Sequence, residues 1–496
     1  LEAGGSDRHP FYHLPAGFAK MTKGIGSWGW ETVPQKHMQN KVFRYTQGKV
    51  LGGGSAINAQ IYTRGNAQDY DHWRQLGCEG WGYADVLPYF RKAEDNETYN
   101  NRYHGQGGPL GVSEPRAPLP VCEAYFEAAA QLGIPRNMDI NGERQDGVCY
   151  YQLTQRNVRR SSAAMAYVTP NRHRPNLEVR LSAQVRRLVV EGGRATGVEM
   201  MDGSRIVADR EVLLCSGAIG SPRLLQLSGI GPADHLSDLG IAVVQDQPQV
   251  GENLQDHLDL YCISELSGPY SYDHYAKPQW AALAGLQYLL ARRGPVASSL
   301  FETGGFWYAD ENAATPDIQF HLGLGTGIEH GVANMPKGGI TLNSCYLRPH
   351  SRGTVRLGSG DPAAAPLIDP NYLSDPKDRE MSIRGLKLTQ EILSQKPLGK
   401  FIMAERLPGP DVRTDQDYFD FICQHSKTSH HCAGTCRMGA DDGAVVDTRL
   451  RFNGIDGLRV VDNSIMPSVI SSNTNAAAIM IGEKAADMIK ADNRMG

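Results

Sequence analysis

EVLLCSGAIGSPRLLQLSGIG, residues 211–231, decides the fold class. Val212, Leu213 and Leu214 make a short apolar strand, Gly217 and Gly220 shape a turn, and Pro222 suits the first turn of a helix carrying Leu224, Leu225 and Leu227. A strand, a glycine turn and a helix in that order line nucleotide sites. Just upstream, residues 176–209 have strand character, with Gly192-Gly193 and Asp202-Gly203 as hairpin turns. Downstream, GLRVVDNSIMP gives a short buried strand over 458–461 that ends at Asp462. SSNTNAAAIMIGEKAADMIKA then gives a helix with Asn473 at its entrance and Ala476, Ile479, Met480, Ala486 and Ile489 on its apolar side. The unpaired N–H groups of such a helix start favour an anion in front of it.

A second glycine stretch, GKVLGGGSAINAQIYTRGN over 48–66, is flanked by Val50, Leu51, Ile57 and Ile61 and does not read as a linker. Without Cβ atoms, Gly52, Gly53 and Gly54 let a flat or charged group lie against backbone N–H donors. A plain structural turn is the alternative. Between Cys262 and Cys423 the character changes to aromatic runs such as FETGGFWYAD and PDIQFHLGLG, with proline-rich spacers, which points to a second domain with its own sheet. Residues 381–395 fit an amphipathic helix through Ile383, Leu386, Ile392 and Leu393, with Ser382 as its cap.

A chain of 496 residues, 41% apolar, exceeds the size at which one core usually stops growing. Its 50 lysines and arginines nearly balance 54 acidic residues, and a net charge of -4 leaves no basic footprint for nucleic acid. A small-molecule partner is favoured. Nine cysteines without C-x-x-C spacing fit a reducing compartment, hence a cytoplasmic or membrane-peripheral location. No apolar run approaches the ~20 residues that span a bilayer. HHCAGTC over 430–436 contains ligand-type side chains, but three adjacent ones rarely converge on one ion, so no metal is expected.

Four stretches in order, 48–71, 217–231, HCAGTCRMG from His431, and 457–489, resemble the glucose-methanol-choline oxidoreductases, and the resemblance covers essentially the whole chain. HPFYHLPAGFAKMTKG, GPVASSLFETGGFW and PDIQFHL resemble the bacterial branch that includes L-sorbose, polyethylene glycol and choline dehydrogenase-like enzymes. The resemblance implies a mixed α/β fold: a Rossmann-like FAD-binding domain from 1–65, 156–258 and 428–496, interleaved with a substrate domain from 66–155 and 259–427 built on an antiparallel sheet with helices. It implies an FAD-dependent alcohol dehydrogenase that oxidises a primary alcohol, polyol or glycol, with hydride transfer to flavin N5. The acceptor is a quinone, a dye or oxygen. An oxygen-using oxidase, a non-redox lyase of the same fold and a non-enzymatic homologue remain alternatives, since fold does not fix function.

Residue by residue, the resemblance puts Gly52, Gly53 and Asn58 along the flavin and diphosphate. Ile57 stands where some relatives attach flavin through histidine, which implies non-covalent FAD. Glu2 in the opening LEAGG resembles the ribose-binding acid, and the G-x-G-x-x-G turn normally about 20 residues earlier is not in this sequence. The expectation is that about 30 to 40 residues carrying it precede Leu1. Val185 resembles the adenine contact, with a plain strand valine as alternative; Asp462 resembles a flavin-contacting acid, with a turn residue as alternative. Asn475 would face the flavin pyrimidine ring. His431 matches the base position, with Cys432 in place of the usual proline and His430 as the competing neighbour. Asn473 matches the second catalytic position, and helix capping is the bland reading for both Asn473 and Asn475. Glu302 and His321 would line a pocket for a polyhydroxylated or ether alcohol rather than choline, with internal packing of the domain as the alternative. Choline calls for aromatic groups around its ammonium, and Trp307, Tyr308 and Phe320 are the candidates.

Overall fold

Strict alternation of side chains organises the central antiparallel sheet, because successive residues of a strand point to opposite faces. Its strands lie in the order Ile402–Leu407, Leu258–Leu266, Gly339–Tyr346, Ile318–Gly323, Thr303–Trp307 and Gly147–Tyr150, and Lys427–Thr428 pairs with the start of Leu258–Leu266. Leu258, Leu260, Cys262, Ile318, Phe320, Leu322, Ile340 and Leu342 point one way into the main core. There they meet the helices Pro120–Gln131, Pro376–Leu393 and Asp415–His425. On the other face the register aligns Asp259 with Cys345, Gln319 with Cys345, and His321 with Asn343 and Gly304. One face is therefore apolar and the other polar. The computed structural model describes residues 1–329, 332, 333, 335 and 337–495.

The nucleotide-type part forms as the sequence predicts in outline. Val212–Leu214 pairs in parallel with Leu458–Val460, and the helix Gly217–Leu227 follows the first of these strands. Val185–Glu191, Arg194–Met200 and Arg205–Val207 form the expected two-hairpin meander, while 176–181 is not a strand. The helix begins at Gly217, five residues before the expected start, with Pro222 inside it. Pro222 has no N–H for the carbonyl of Ala218. The Thr435 hydroxyl donates to that carbonyl at 2.5 Å instead. The helix expected over 381–395 likewise starts early, at Pro376, capped by Asp375, whose carboxylate accepts from Lys377 N at 2.8 Å. Ser382 is buried inside it and is not the cap. The C-terminal helix spans Asn475–Met495 and buries Ile481 and Ala485 rather than Ala486 and Ile489.

The two glycine stretches of the N-terminal part pack on each other. Gly5 bridges Val50, and Leu51 N donates to Gly5 O at 3.0 Å. A Cβ at Gly4 would lie 2.1 Å from Lys49 O, so only glycine allows this approach. The polar face of the sheet and this glycine turn set the walls of the site.

Candidate active site

His431 follows the short strand Lys427–Thr428 and is held by its own backbone: its N–H donates to Asp256 Oδ1 at 2.7 Å. The same buried carboxylate accepts from Tyr45 at 2.8 Å and from the hydroxyls of Tyr372 and Thr428. Burial pushes the Asp256 carboxyl up, and these four donors oppose it. Three residues on, Gly434 takes φ +95, and its N–H donates to Asn463 O at 3.2 Å. A Cβ there would lie 2.5 Å from Asn253 O. The segment thus runs beside Asp462–Ile465 and fixes the histidine against the sheet.

The imidazole of His431 lies between two partners. Its Nδ1 is 2.9 Å from His257 Nδ1, and its Nε2 is 3.0 Å from the amide nitrogen of Asn473. His257 Nε2 is in turn 3.1 Å from the carbonyl of Leu347. A carbonyl only accepts, so His257 carries its proton on Nε2 and offers a lone pair at Nδ1. His431 must then carry its proton on Nδ1. Its Nε2 then presents a lone pair toward Asn473. The Asn473 amide is oriented by the same bookkeeping, because its Oδ1 accepts from Gln319 Nε2 at 2.8 Å and from Thr63 at 3.2 Å. Its NH2 group therefore faces His431, with His321 Nε2 at 3.5 Å.

Burial pushes the His431 imidazolium well below the usual histidine range, and the neighbouring His257 and His321 add to the shift. His257 is pulled down to about 4 and His430 to about 3, again chiefly by burial. His321 is lowered for the same reason. The histidines are neutral near pH 7, the form in which imidazole accepts a proton. His430 takes a left-handed φ of 61° and sets its ring edge-on to Tyr45 at 6.4 Å. Behind His321, Lys427 pairs with Asp259 and, at 3.0 Å, with Glu329. Burial opposes charge on both Asp259 and Lys427, but each stabilises the other's ion.

The expected cofactor residues are placed as follows. Gly52 and Gly53 take φ of +96 and +54, and no atom lies within 4 Å of where a Cβ of Gly53 or Gly54 would project. Asn58 Oδ1 accepts from Arg160 Nη1 at 2.7 Å, while Nε and Nη2 of that buried arginine have no partner. Burial alone pulls the Arg160 guanidinium down to about 9. Ile57 is buried among Tyr12, Met21, Val50 and Ala56. Glu2 Oε1 accepts from Gly4 N at 2.7 Å. Asp462 is buried and holds the start of the Gly217–Leu227 helix, accepting from Gly217 N at 2.9 Å and from the Ser221 hydroxyl at 2.6 Å. Asn463 Oδ1 and Ser464 Oγ beside it are buried without partners. Val185 opens its strand against Met200, and Asn475 opens the C-terminal helix. Cys215, just before the helix start, is exposed, and desolvation by its surroundings pushes its thiol up to about 12.

These features fit FAD. The orphaned guanidinium donors call for an anion, and the open space over Gly53, Gly54 and Gly217 admits a flat or phosphorylated group against backbone donors. His431 and Asn473 are in direct contact, and Thr63 ties the continuation of the glycine loop to them. Glu2 lies beside the segment that leads to Val185, its N–H donating to Arg180 O at 2.9 Å and its carbonyl accepting from Ala183 N at 2.8 Å. His257, Gln319, Thr63 and Asp256 were not singled out from sequence; a histidine in NLQDHLDL carries no spacing that distinguishes it from a structural one. Glu302 is wholly buried near Ser298, Tyr272 and Cys122, and burial pushes it up to about 7 against the opposing effect of the Ser298 hydroxyl and the Ser299 N–H. It is no open pocket wall. Phe320 and Trp307 both lie on the face that packs on the main core, away from His321, so the three aromatics form no cage beside it. A cleft of about 610 Å³ lined by Gln68, His72, Arg348 and His350 contains none of these site residues.

Two family models, both described as GMC oxidoreductase, match residues 17–259 and 349–482. The oxygen-dependent choline dehydrogenase of Sinorhizobium fredii is 42% identical over 99% of this chain and 90% of its own length. That of Escherichia coli O17:K52:H18 is also 42% identical at the same coverage. Among solved structures, pyridoxine 4-oxidase from Mesorbium loti matches with TM-score 0.89 and 31% identity, over 99% of this chain and 93% of that one. A formate oxidase structure matches with TM-score 0.92 and 26% identity over 99% and 93%.

Proposed function

The chain belongs to the GMC oxidoreductases, FAD-dependent enzymes that act on CH–OH groups, and on that premise we propose that His431 is the base that receives the hydroxyl proton of the substrate alcohol. The observation that carries this is the fixed tautomer: Leu347 O, His257 and the Asn473 amide together leave a lone pair on His431 Nε2. Asn473 holds the substrate oxygen through its NH2 group, with His321 as the second polar neighbour. Bound FAD supplies the hydride acceptor. Gly52, Gly53, Asn58, Arg160, Asp462 and Asn475 would hold its flavin and diphosphate, and Glu2 and Val185 its adenosine, without a covalent bond, since Ile57 offers no nucleophile.

For the substrate we favour a small uncharged alcohol bearing further hydroxyl or ether oxygens. The side chains around the His431 imidazole are neutral imidazoles and amides, and the buried carboxylates nearby are already engaged, Asp256 with the His431 N–H and three hydroxyls and Asp259 with Lys427. Choline is the second reading, favoured by relatives that are named choline dehydrogenases. Anaerobic reduction of the bound flavin by a panel of polyols, glycols and choline separates the two. His431→Ala should slow flavin reduction by about 100-fold or more with FAD retained, whereas His430→Asn should leave it within a few-fold. Equal losses in both variants would refute the assignment of the base.

A further inference from the structure

The helix Pro278–Ala291, PQWAALAGLQYLLA, carries no charged residue, yet it lies on the surface. Ala284 and Tyr288 face the body, and the Tyr288 hydroxyl donates to Val158 O at 2.6 Å. The opposite side is apolar too. Leu283, Leu286 and Leu290, spaced i, i+3 and i+7, form one stripe at 52%, 53% and 80% exposure. Leu289 at 73% and Trp280 at 44% flank it. Scattered surface leucines need no explanation, but a contiguous stripe of this kind marks an interaction surface.

The flanking charges say which partner. Lys277 precedes the helix and Arg292 and Arg293 follow it, all exposed. The preceding acid, Asp273, is turned inward to Ser271, Thr326 N and Gly339 N. A second copy docking by a two-fold, antiparallel contact would set Arg292 and Arg293 beside the other copy's Lys277, like charge on like. An anionic lipid surface meets both ends favourably. Leucines with a tryptophan on one face and cations at the margins are the pattern of a helix that lies in a membrane interface. At 14 residues the helix is about 21 Å long, short of the roughly 30 Å hydrocarbon core, and one face is tied to the body. No helix among the described residues is long and apolar enough to cross a membrane.

We propose that the Pro278–Ala291 helix docks this protein flat on a bilayer containing anionic lipid, with Leu283, Leu286, Leu289 and Leu290 in the acyl boundary and Lys277, Arg292 and Arg293 at the headgroups. The test is flotation of the FAD-loaded enzyme with vesicles of phosphatidylcholine alone and with about 30% phosphatidylglycerol. The enzyme should float with the anionic vesicles, less so as salt rises, and Trp280 emission should shift to the blue. Leu286→Ser with Leu290→Ser should weaken binding about tenfold or more at unchanged melting temperature. Arg292→Glu with Arg293→Glu should abolish the preference for the anionic vesicles. The proposal is overturned if the enzyme floats with neither vesicle, if the leucine variant binds as the parent does, or if the enzyme is a dimer in buffer that the leucine variant makes monomeric without any vesicle binding.

Discussion

Replacing His257 tests the tautomer argument directly, because this side chain lies behind the proposed base and is not a partner of the substrate oxygen. In the parent, the proton on His431 Nδ1 has an acceptor 2.9 Å away in His257. His257→Leu removes the acceptor and leaves a buried donor unpaired, a penalty of about 1–3 kcal/mol. The imidazole escapes that penalty by moving its proton to Nε2, where it opposes the Asn473 NH2 group at 3.0 Å and can no longer accept from an alcohol. A preference of about 1–3 kcal/mol corresponds to a factor of roughly 5 to 150 in the population of the competent tautomer. Flavin reduction at saturating alcohol should therefore slow by that factor, with a smaller change in the alcohol concentration needed for half-saturation.

His257→Gln is the control, since a glutamine carbonyl can accept from His431 and its amide can donate to Leu347 O. It should recover most of the rate. Stopped-flow anaerobic reduction of the two variants, each checked for bound FAD and melting temperature, decides the matter. If leucine and glutamine slow the reaction equally, the relay is a packing effect; if neither slows it, the tautomer is set elsewhere and the argument fails.

The remaining predictions concern charge. Because burial lowers the His431 pKa, flavin reduction at saturating alcohol should stay level as pH falls from about 8 to about 6, without the inflection near 6.5 of an ordinary imidazole; an inflection there in the rate would refute a desolvated base. Stability has its own sign. His257 and His430 sit at about 4 and about 3 when folded, against about 6.5 unfolded, so their contribution is complete above 6.5 and is lost as pH falls. Each should steepen the acid loss by about 1.4 kcal/mol per pH unit, so His430→Asn should show a measurably shallower fall in denaturant midpoint between about pH 6 and 4. Lys427→Met would strand Asp259 and Glu329, which the lysine now pairs, and should destabilise by about 3–5 kcal/mol. A melting temperature within a degree or so of the parent's would count against a charged Asp259–Lys427 pair.

The sequence made the nucleotide-type elements legible because each carries its own turn chemistry: Gly192-Gly193 and Asp202-Gly203 close the hairpins found between the meander strands. The start of the Gly217–Leu227 helix was not legible, for a reason that is not local. Pro222 should mark a first turn, but Thr435, far along the chain, satisfies the carbonyl that proline leaves free. Residues 278–291 carried apolar residues at helical spacing, but nothing in the sequence says that the apolar side faces outward.

The same distinction runs through the site. His431 and Asn473 were found through motifs, and the structure brings them to 3.0 Å of each other. What sets the proton on the correct nitrogen is a main-chain oxygen, Leu347 O, and a main-chain carbonyl has no residue type to recognise. Gln319 was hidden for another reason, and His321 was legible only as a pocket candidate: in PDIQFHLG they alternate with Ile318, Phe320 and Leu322, and only the register shows that the polar set faces Asn473 while the apolar set packs on the helices. That alternation also explains how a core can tolerate so many buried polar groups. The apolar face anchors the sheet, while the opposite face keeps its imidazoles neutral and places the Lys427–Asp259 ion pair on the far side of His321. A cation at that remove disfavours a proton on His431 and so keeps the nitrogen free for the alcohol's proton.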